Sequence, residues 1–275
     1  MGWEIARDDS LTAESIAAYL VGDTEQTPLN AGQKTIFVYE SVVSTNDMAK
    51  ELAADGAPAG TAVVANRQTA GRGRMGRSFY SPPDSGVYLS VILRPKLTGS
   101  RILLLTTGAA VAAAEAVEES CGARMQIKWV NDLYLGGKKI AGILTEAVGG
   151  AYIVGIGVNV KESGEGFPAE LAGKAGALDA GGAQVSRSRL AAALIEGVRR
   201  MGKDLEEGGG HYTGRLIEEA RKRSCVLGRE VQITGAEGLS AARAVDIDDQ
   251  GFLIVEDSRG RRHTLSSGEI SLYVE

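Results

Sequence analysis

A long apolar helix constrains the fold of this chain more than any other segment. The sequence predicts this helix over 100–122, and its alanine-rich centre carries apolar side chains on nearly every side. A helix of this kind is buried in a protein core or in a bilayer, not exposed to water. Because its longest apolar run, 107–117, is shorter than the ~20 residues that a bilayer requires, the sequence predicts a globular core and no membrane contact.

Strands are predicted on both sides of this helix along the chain. Short β-rich runs occur at 36–39, 61–66, 86–94, 125–130 and 151–160. A hairpin over 133–146 turns at Gly136 and Gly137, a pair that suits a two-residue turn with positive φ angles. Further helices are predicted at 11–20, from Ser44 or Thr45 to Gly56, at 186–207 and at 212–223.

The last 50 or so residues show a different pattern. From Cys225 onward, short apolar runs alternate with turns, which is typical of a small β-barrel. The predicted fold class is therefore α+β, with a mixed sheet followed by the barrel. We expect an N-terminal helix and connector over 1–32, a main domain over 33–224 and the barrel over 225–275.

The composition argues against several functional classes. The chain has 275 residues and a net charge of −5, so general electrostatic attraction to nucleic acid is not expected. Cys121 and Cys225 lie far apart and only two histidines are present, which argues against a zinc cluster. Both thiols are expected to be buried. The N-terminus has no secretion signal, which predicts a cytoplasmic protein.

The first candidate for a functional element is a loop with three arginines, AGRGRMGRSFYSPPDSG, at 70–86. Its letters match the dinucleotide-binding pattern G-x-G-x-x-G, but two prolines follow where that pattern requires a helix. The chain has no P-loop and no protein-kinase motif either. Two interpretations remain. The arginines form a solvated surface run, or the loop binds a phosphate or a carboxylate through charge-assisted hydrogen bonds.

The second candidate is KWVND at 128–132, together with Lys138 and Lys139 in the hairpin. One interpretation makes the tryptophan a core residue and the other side chains turn formers and surface charges. The alternative is a site for phosphate and metal, because cations, an amide and a carboxylate would meet at the edge of an apolar sheet.

The third candidate is Ser44-Thr45-Asn46, with Gln68 before the arginine loop. The triplet is equally consistent with an ordinary helix cap. No serine or cysteine stands in a nucleophile motif, and the two histidines suggest no triad. Covalent enzyme chemistry is therefore not expected.

Taken together, these motifs resemble the bacterial biotin protein ligases. The resemblance rests on STN before a helix, RQTAGRGRMGRSFYSP, IKWVNDLYLGGKKIAGILTE, GIGVNV and GEISL, in this order over about 36–275. It implies a catalytic domain similar to class II aminoacyl-tRNA synthetases and an SH3-like barrel. It also implies that biotin and ATP form biotinyl-5′-AMP, from which biotin passes to a lysine of a biotin carboxyl carrier protein.

The resemblance assigns a role to individual residues. Biotin would be bound by Ser44, Thr45, Asn46, Gln68, Gly71, Arg72, Gly73, Arg74, Lys139, Gly142 and Gly155. ATP would be bound by Arg74, Arg77, Phe79, Lys128, Asn131, Asp132 and Asn159. Arg74 and Lys139 would act in catalysis, with Lys139 the most important cation. Mg²⁺ is expected with ATP, without an assignment of its ligands, and a homodimer is an expectation of the same kind.

The sequence departs from the family pattern at a few positions. Met75, Val130 and Phe79 stand where the family usually has arginine, proline and tryptophan, and none of these changes removes a proposed polar contact. Many relatives carry an N-terminal helix-turn-helix domain. Only about 30 residues precede the ligase motifs here, so transcriptional repression is not expected.

Three alternative functions remain open at this level. A lipoate-type ligase would share the fold, although GRGRMGR and KWVND argue against it. A sensor that binds biotin or its adenylate without catalysis would not need both Arg74 and Lys139. RNA binding, suggested by the synthetase-like architecture, is opposed by the net negative charge.

Overall fold

The computed structural model describes residues 10–20, 35–97, 102–181, 184–207, 209–234, 240–266 and 269–272. Residues 1–9 and 21–32 of the predicted N-terminal helix and connector lie outside these ranges, as do the first two positions of the predicted apolar helix. No helix in the described ranges is long and apolar enough to cross a bilayer.

Helices and strands follow the predicted order. The helices are α1 (Ala13–Ala17), α2 (Thr45–Ala54), α3 (Ile102–Cys121), α4 (Arg187–Glu207) and α5 (Gly209–Arg223). The first seven strands are β1 (Ile36–Val42), β2 (Ala62–Gln68), β3 (Gly86–Leu93), β4 (Gln126–Lys128), β5 (Asp132–Leu135), β6 (Lys138–Val148) and β7 (Ala151–Asn159). The last five are β8 (Glu230–Thr234), β9 (Ala241–Ile247), β10 (Leu253–Glu256), β11 (Arg262–Leu265) and β12 (Glu269–Leu272).

The first seven strands form one mixed sheet in the order β1-β2-β3-β7-β6-β5-β4. β1 and β2 pair in parallel, and the other neighbours pair antiparallel. All eight residues of β3 are buried, because successive side chains point to opposite faces of a sheet and both faces are covered. Val91 belongs to the core under α3 and α4, whereas Ile92 belongs to the smaller core under α2.

The apolar helix is buried, as the sequence predicts. In α3 the buried positions extend from Leu104 to Val117, and the helix packs between the sheet and the helices α4 and α5. Cys121, at the end of this helix, is only half-buried, so the expected burial of both thiols holds for Cys225 alone.

The remaining strands form a separate antiparallel sheet in the order β11-β10-β9-β8-β12. It contacts the main sheet near β4. The Trp129 indole nitrogen donates to the Gly251 carbonyl at 2.9 Å, and the Cys225 amide donates to the Ile127 carbonyl at 3.0 Å. The predicted α+β class, with a small β unit at the C-terminal end, is confirmed.

Candidate active site

A cavity of about 300 Å³ lies over β6 and β7, below the arginine loop. This volume is at the lower end of the range for small-molecule sites. The start of α2, the β4–β5 turn and the segment 171–175 complete its wall. The predicted residues that line it are Ser44, Thr45, Asn46, Gln68, Arg72, Gly73, Arg74, Arg77, Phe79, Lys128, Asn131, Asp132, Lys139, Gly142 and Gly155.

One end of the cavity is built from neutral polar groups at the start of α2. Ser44 occupies the N-cap position, but its side chain makes no capping hydrogen bond, so a cap alone does not explain the triplet. The Thr45 amide and hydroxyl both donate to Gln68 Oε1, at 2.9 and 3.1 Å. Gln68 Nε2 in turn donates to Ser81 Oγ at 2.9 Å. These bonds fix the glutamine amide in one orientation.

Asn46 is buried at the same end of the cavity, with 4% of its surface exposed. Its Nδ2 donates to Glu146 Oε2 at 2.7 Å, and the Leu144 carbonyl lies 3.4 Å from the same nitrogen. The Ser90 hydroxyl lies 2.6 Å from its Oδ1. A Cβ atom on Gly155 would overlap that oxygen, so glycine at this position leaves the space that Asn46 occupies.

Glu146 connects this amide to two cations, Lys50 and the cavity-lining Arg72. Lys50 Nζ lies 2.6 Å from its Oε1, and Arg72 Nη2 lies 3.5 Å from its Oε2. Burial alone would raise the pKa of the Glu146 carboxyl, but the hydrogen bonds from Lys50 and Asn46 outweigh burial. Together with the nearby charges they hold this pKa below its ordinary value. Arg72 also pairs with Asp47 of α2.

The arginine loop has a defined irregular conformation. A short 3₁₀ turn covers Arg74–Gly76, and Met75 takes a φ of 55°. The Gly73 amide donates to the Arg77 carbonyl at 2.7 Å. A Cβ atom on Gly71 would lie 2.5 Å from the Phe79 carbonyl oxygen. Only glycine therefore fits where the backbone at position 71 approaches the backbone of Phe79.

Cations from two segments meet at the other end of the cavity. Arg74 Nη1 donates to Asn131 Oδ1 at 3.1 Å, and Lys139 Nζ lies 2.7 Å from Asp132 Oδ1. Asn131 is itself fixed, because its Nδ2 donates to the Ile143 carbonyl at 2.9 Å. Arg74 and Lys139 therefore contact adjacent residues of one turn. Separate segments of the chain thus bring two positive charges to one place.

The backbone of Lys139 is held by a second segment. Its amide donates to the Lys174 carbonyl at 2.8 Å, and its carbonyl accepts from the Gly176 amide at 2.9 Å. A Cβ atom on Gly176 would lie 2.9 Å from the Cβ of Lys138. The glycine thus allows the segment to approach β6 closely, and the pairing limits the movement of Lys139.

An aromatic ring, that of Phe79, packs against the strands below the cavity. The Phe79 ring lies against Gly157 so closely that a Cβ atom there would approach it to 2.5 Å. The same ring is near Gly142, and its centroid is 6.4 Å from that of Tyr88 in an edge-to-face arrangement.

Comparisons with known proteins identify the family. Residues 38–162 match the biotin/lipoate A/B protein ligase family, and residues 226–273 match the biotin protein ligase C-terminal domain. Over 243 residues the chain is 35% identical to the bifunctional ligase/repressor BirA of Bacillus subtilis. This match covers 86% of this chain and 73% of that protein. The chain belongs to the biotin protein ligase family.

Other ligases of this family agree in length and fold. The biotin–[acetyl-CoA-carboxylase] ligase of Mycobacterium tuberculosis is 31% identical over 258 residues, covering 87% of this chain and 90% of that protein. The solved biotin protein ligase of Aquifex aeolicus, in complex with biotin and ATP, has a TM-score of 0.76 at 30% identity. That match covers 88% of this chain and 100% of the other. The family and fold that the sequence motifs predict are thereby confirmed.

Two predicted ligand-binding residues of this ligase do not line the cavity. Gly71, at the start of the arginine loop, packs against Phe79 and Ser81. Asn159 is buried, and its Nδ2 donates to the Gly176 carbonyl at 3.0 Å. Through that bond it holds the segment that pairs with Lys139.

Several residues of the ligase site were not predicted from the sequence. Among these are Ser90, Trp129, Tyr134, Glu146, Lys174 and Ile270, which line the cavity or contact residues that do. The motif IKWVNDLYLGGKKIAGILTE contains Trp129, Tyr134 and Glu146. Their position in this motif could have been used to predict them as site residues. Ser90 is a polar residue in the otherwise apolar strand β3, and this pattern can also be read from the sequence.

Proposed function

We propose that this ligase joins biotin to AMP and then transfers biotin to a carrier protein, with the two ends of the cavity holding biotin and ATP. In the first step a biotin carboxylate oxygen bonds to the α-phosphorus of ATP and diphosphate leaves. In the second, the amine of an acceptor lysine bonds to the acyl carbon, AMP leaves and the amine loses a proton. Biotinyl-5′-AMP is the intermediate between the two steps.

The observation that carries this proposal is the meeting of Arg74 and Lys139 at Asn131 and Asp132. A carboxylate and a phosphate repel each other when they approach. Fixed positive charges in a partly dehydrated cavity reduce this repulsion and stabilise the charge of the transition state. We therefore assign the carboxylate–phosphate junction to these two side chains. No protein nucleophile is needed.

The neutral end suits the ureido ring of biotin. That ring carries two N–H donors and one carbonyl, so it requires uncharged acceptors and donors in an otherwise apolar pocket. Asn46 and the Thr45–Gln68 pair supply such groups. A site built on hydrogen bonds of this kind discriminates strongly against ligands that lack the matching groups.

The cationic end suits the triphosphate. We propose that Arg77 and Lys128 contact the phosphates and that Phe79 contacts adenine. Asp132 is the one carboxylate among the described residues that line the cavity. In the described ranges no cluster of three His, Cys, Asp or Glu residues could hold a metal ion. We therefore propose that Mg²⁺ would enter with ATP and neutralise part of the phosphate charge, and that Asp132 would help to hold it.

The proposed acceptor is a biotin carboxyl carrier protein. The name of the Mycobacterium tuberculosis relative points to acetyl-CoA carboxylase as the enzyme that is modified. Closure of the arginine loop over the adenylate would keep water away until the acceptor lysine arrives.

Mass spectrometry of a carrier domain tests this proposal. The purified protein is incubated with biotin, MgATP and a biotin carboxyl carrier domain, and we expect one biotinyl group on a single lysine of the carrier. Parallel reactions with lipoate, and without ATP, should leave the carrier unmodified. Modification by lipoate would favour a lipoate-type ligase, and biotin binding without modification would favour a sensor.

A further inference from the structure

The orientation of the Asn46 side chain decides what this residue can offer a ligand. An asparagine amide presents a carbonyl oxygen on one side and an NH₂ group on the other, and a rotation of 180° exchanges them. A ureido N–H needs an acceptor, so only one of the two orientations serves biotin.

The neighbours of Asn46 select that orientation. On one side stand Glu146 Oε2, at 2.7 Å, and the Leu144 carbonyl, at 3.4 Å. An ionised carboxylate and a carbonyl only accept hydrogen bonds, so the NH₂ group must face them. The carbonyl oxygen then faces Ser90 and the backbone of Gly155, which lines the cavity. Because a carbonyl oxygen has two lone pairs, it can accept from Ser90 and from a ligand at once.

We propose that Glu146 is a positioning residue for biotin, one that holds the Asn46 amide with its oxygen turned toward the cavity. This inference rests on the proposed function, since it concerns the biotin end of the same site. Glu146 does not line the cavity itself. It acts through Asn46 and receives no role from the family motifs.

Glu146 is itself held in place by two cations. Lys50 binds its other oxygen at 2.6 Å, and Arg72 of the arginine loop lies 3.5 Å from Oε2. These cations favour the ionised carboxylate, which cannot donate to Asn46. Without Glu146, the Ser90 hydroxyl could accept from a flipped amide as readily as it donates to the present one. The flipped amide would turn its NH₂ group toward the donor N–H of biotin.

Biotin affinity in the absence of ATP tests this inference. We expect Glu146→Ala to weaken biotin binding by about 10- to 100-fold, the range for loss of a charge-assisted hydrogen bond. The KM for ATP and the kcat at saturating biotin should stay within about threefold of wild type. Glu146→Gln should recover most of the affinity, because its amide oxygen can still accept from Asn46. Glu51→Gln is the matched control and should have no effect, because Glu51 is exposed on α2, the helix that carries Asn46.

A double-mutant cycle separates positioning from general damage. In an Asn46→Ala background, Glu146→Ala should cause little further loss of biotin affinity, because there is no amide left to orient. Additive losses would overturn the inference, as would a folded Glu146→Ala protein with wild-type affinity. If Glu146→Ala does not fold, Glu146→Leu in both backgrounds serves the same cycle. Failure of the wild-type protein to bind biotin would instead overturn the proposed function.

Discussion

The two ends of the cavity are built in different ways. The proposed biotin end includes neutral side chains on regular elements, such as Asn46 on α2, Gln68 on β2 and Ser90 on β3, and these side chains are held by hydrogen bonds. The proposed nucleotide end includes cations from a loop and a hairpin, which meet at the β4–β5 turn.

The proposed ligands account for this difference. A neutral ureido ring is recognised by the direction of hydrogen bonds, so its partners must be fixed before it arrives, and regular elements fix them best. A polyphosphate is recognised largely by charge, which acts over a longer range. The long, flexible side chains of Arg74 and Lys139 can follow its movement during the reaction. We therefore expect changes at the biotin end to affect affinity and changes at the nucleotide end to affect the chemical step.

Lys139→Ala should show the largest effect. Removal of a cation that stabilises transition-state charge typically costs about 10²- to 10³-fold in rate, whereas biotin affinity should change little. Biotin-dependent exchange of diphosphate into ATP measures the first step, and calorimetry measures biotin binding. The neighbouring Lys138→Ala, at a position that does not line the cavity, is the matched control. A proportional loss of biotin affinity in Lys139→Ala would remove the distinction between the two ends.

Gly155→Ala should have the next largest effect, now on affinity. The new Cβ atom would overlap Asn46 Oδ1, so the amide that faces biotin must move. We expect biotin to bind about 10-fold more weakly, with the rate at saturating biotin largely kept. Gly164→Ala is a suitable control, because a Cβ atom at that position meets nothing within 4 Å. Unchanged biotin affinity in Gly155→Ala would mean that Asn46 does not contact the ligand.

The sequence predicts the fold better than the site because the fold depends on local patterns. The all-apolar segment predicts the buried helix α3 through hydrophobicity alone. Gly136 and Gly137 predict the β5–β6 turn, and both have positive φ angles, 57° and 77°, as a primed turn requires.

The site depends instead on contacts between distant parts of the chain. Glu146 and Asn46 are 100 positions apart, and Lys139 pairs with Ala175 in a segment where no strand was predicted. Such contacts leave no mark in local periodicity. The family motifs identify residues that line the cavity, but not Ser90, whose hydroxyl contacts Thr45 and Asn46.

Trp129→Phe tests whether the C-terminal sheet supports the nucleotide end. Trp129 lies in the β4–β5 turn next to Lys128, and its indole N–H donates to Gly251, which connects β9 and β10 of that sheet. Loss of this bond should lower the free energy of unfolding by about 1–2 kcal/mol, because a buried carbonyl loses its donor. The KM for ATP should rise a few-fold while biotin affinity stays constant. A rise in the KM for biotin instead would show that the sheet supports the other end.

The smallest effect is expected for the pH dependence of stability at the biotin end. Glu146 has a lowered pKa in the folded protein, so its ionised form stabilises the fold. This contribution is fully present above the ordinary glutamate pKa and is lost as the pH falls through the lowered one.

The stability difference between wild type and Glu146→Gln should therefore shrink as the pH falls below the ordinary glutamate pKa. The change should stay under about 1 kcal/mol, because water screens a partly exposed pair. Urea unfolding at a series of pH values measures it, with Glu51→Gln as the exposed reference. A difference that grows at low pH would have the wrong sign for a carboxylate held ionised by Lys50 and Asn46. The order of the side chains at the neutral end would then come from packing alone and not from the ionised Glu146. Electrostatics would in that case not explain the difference between the two ends of the cavity.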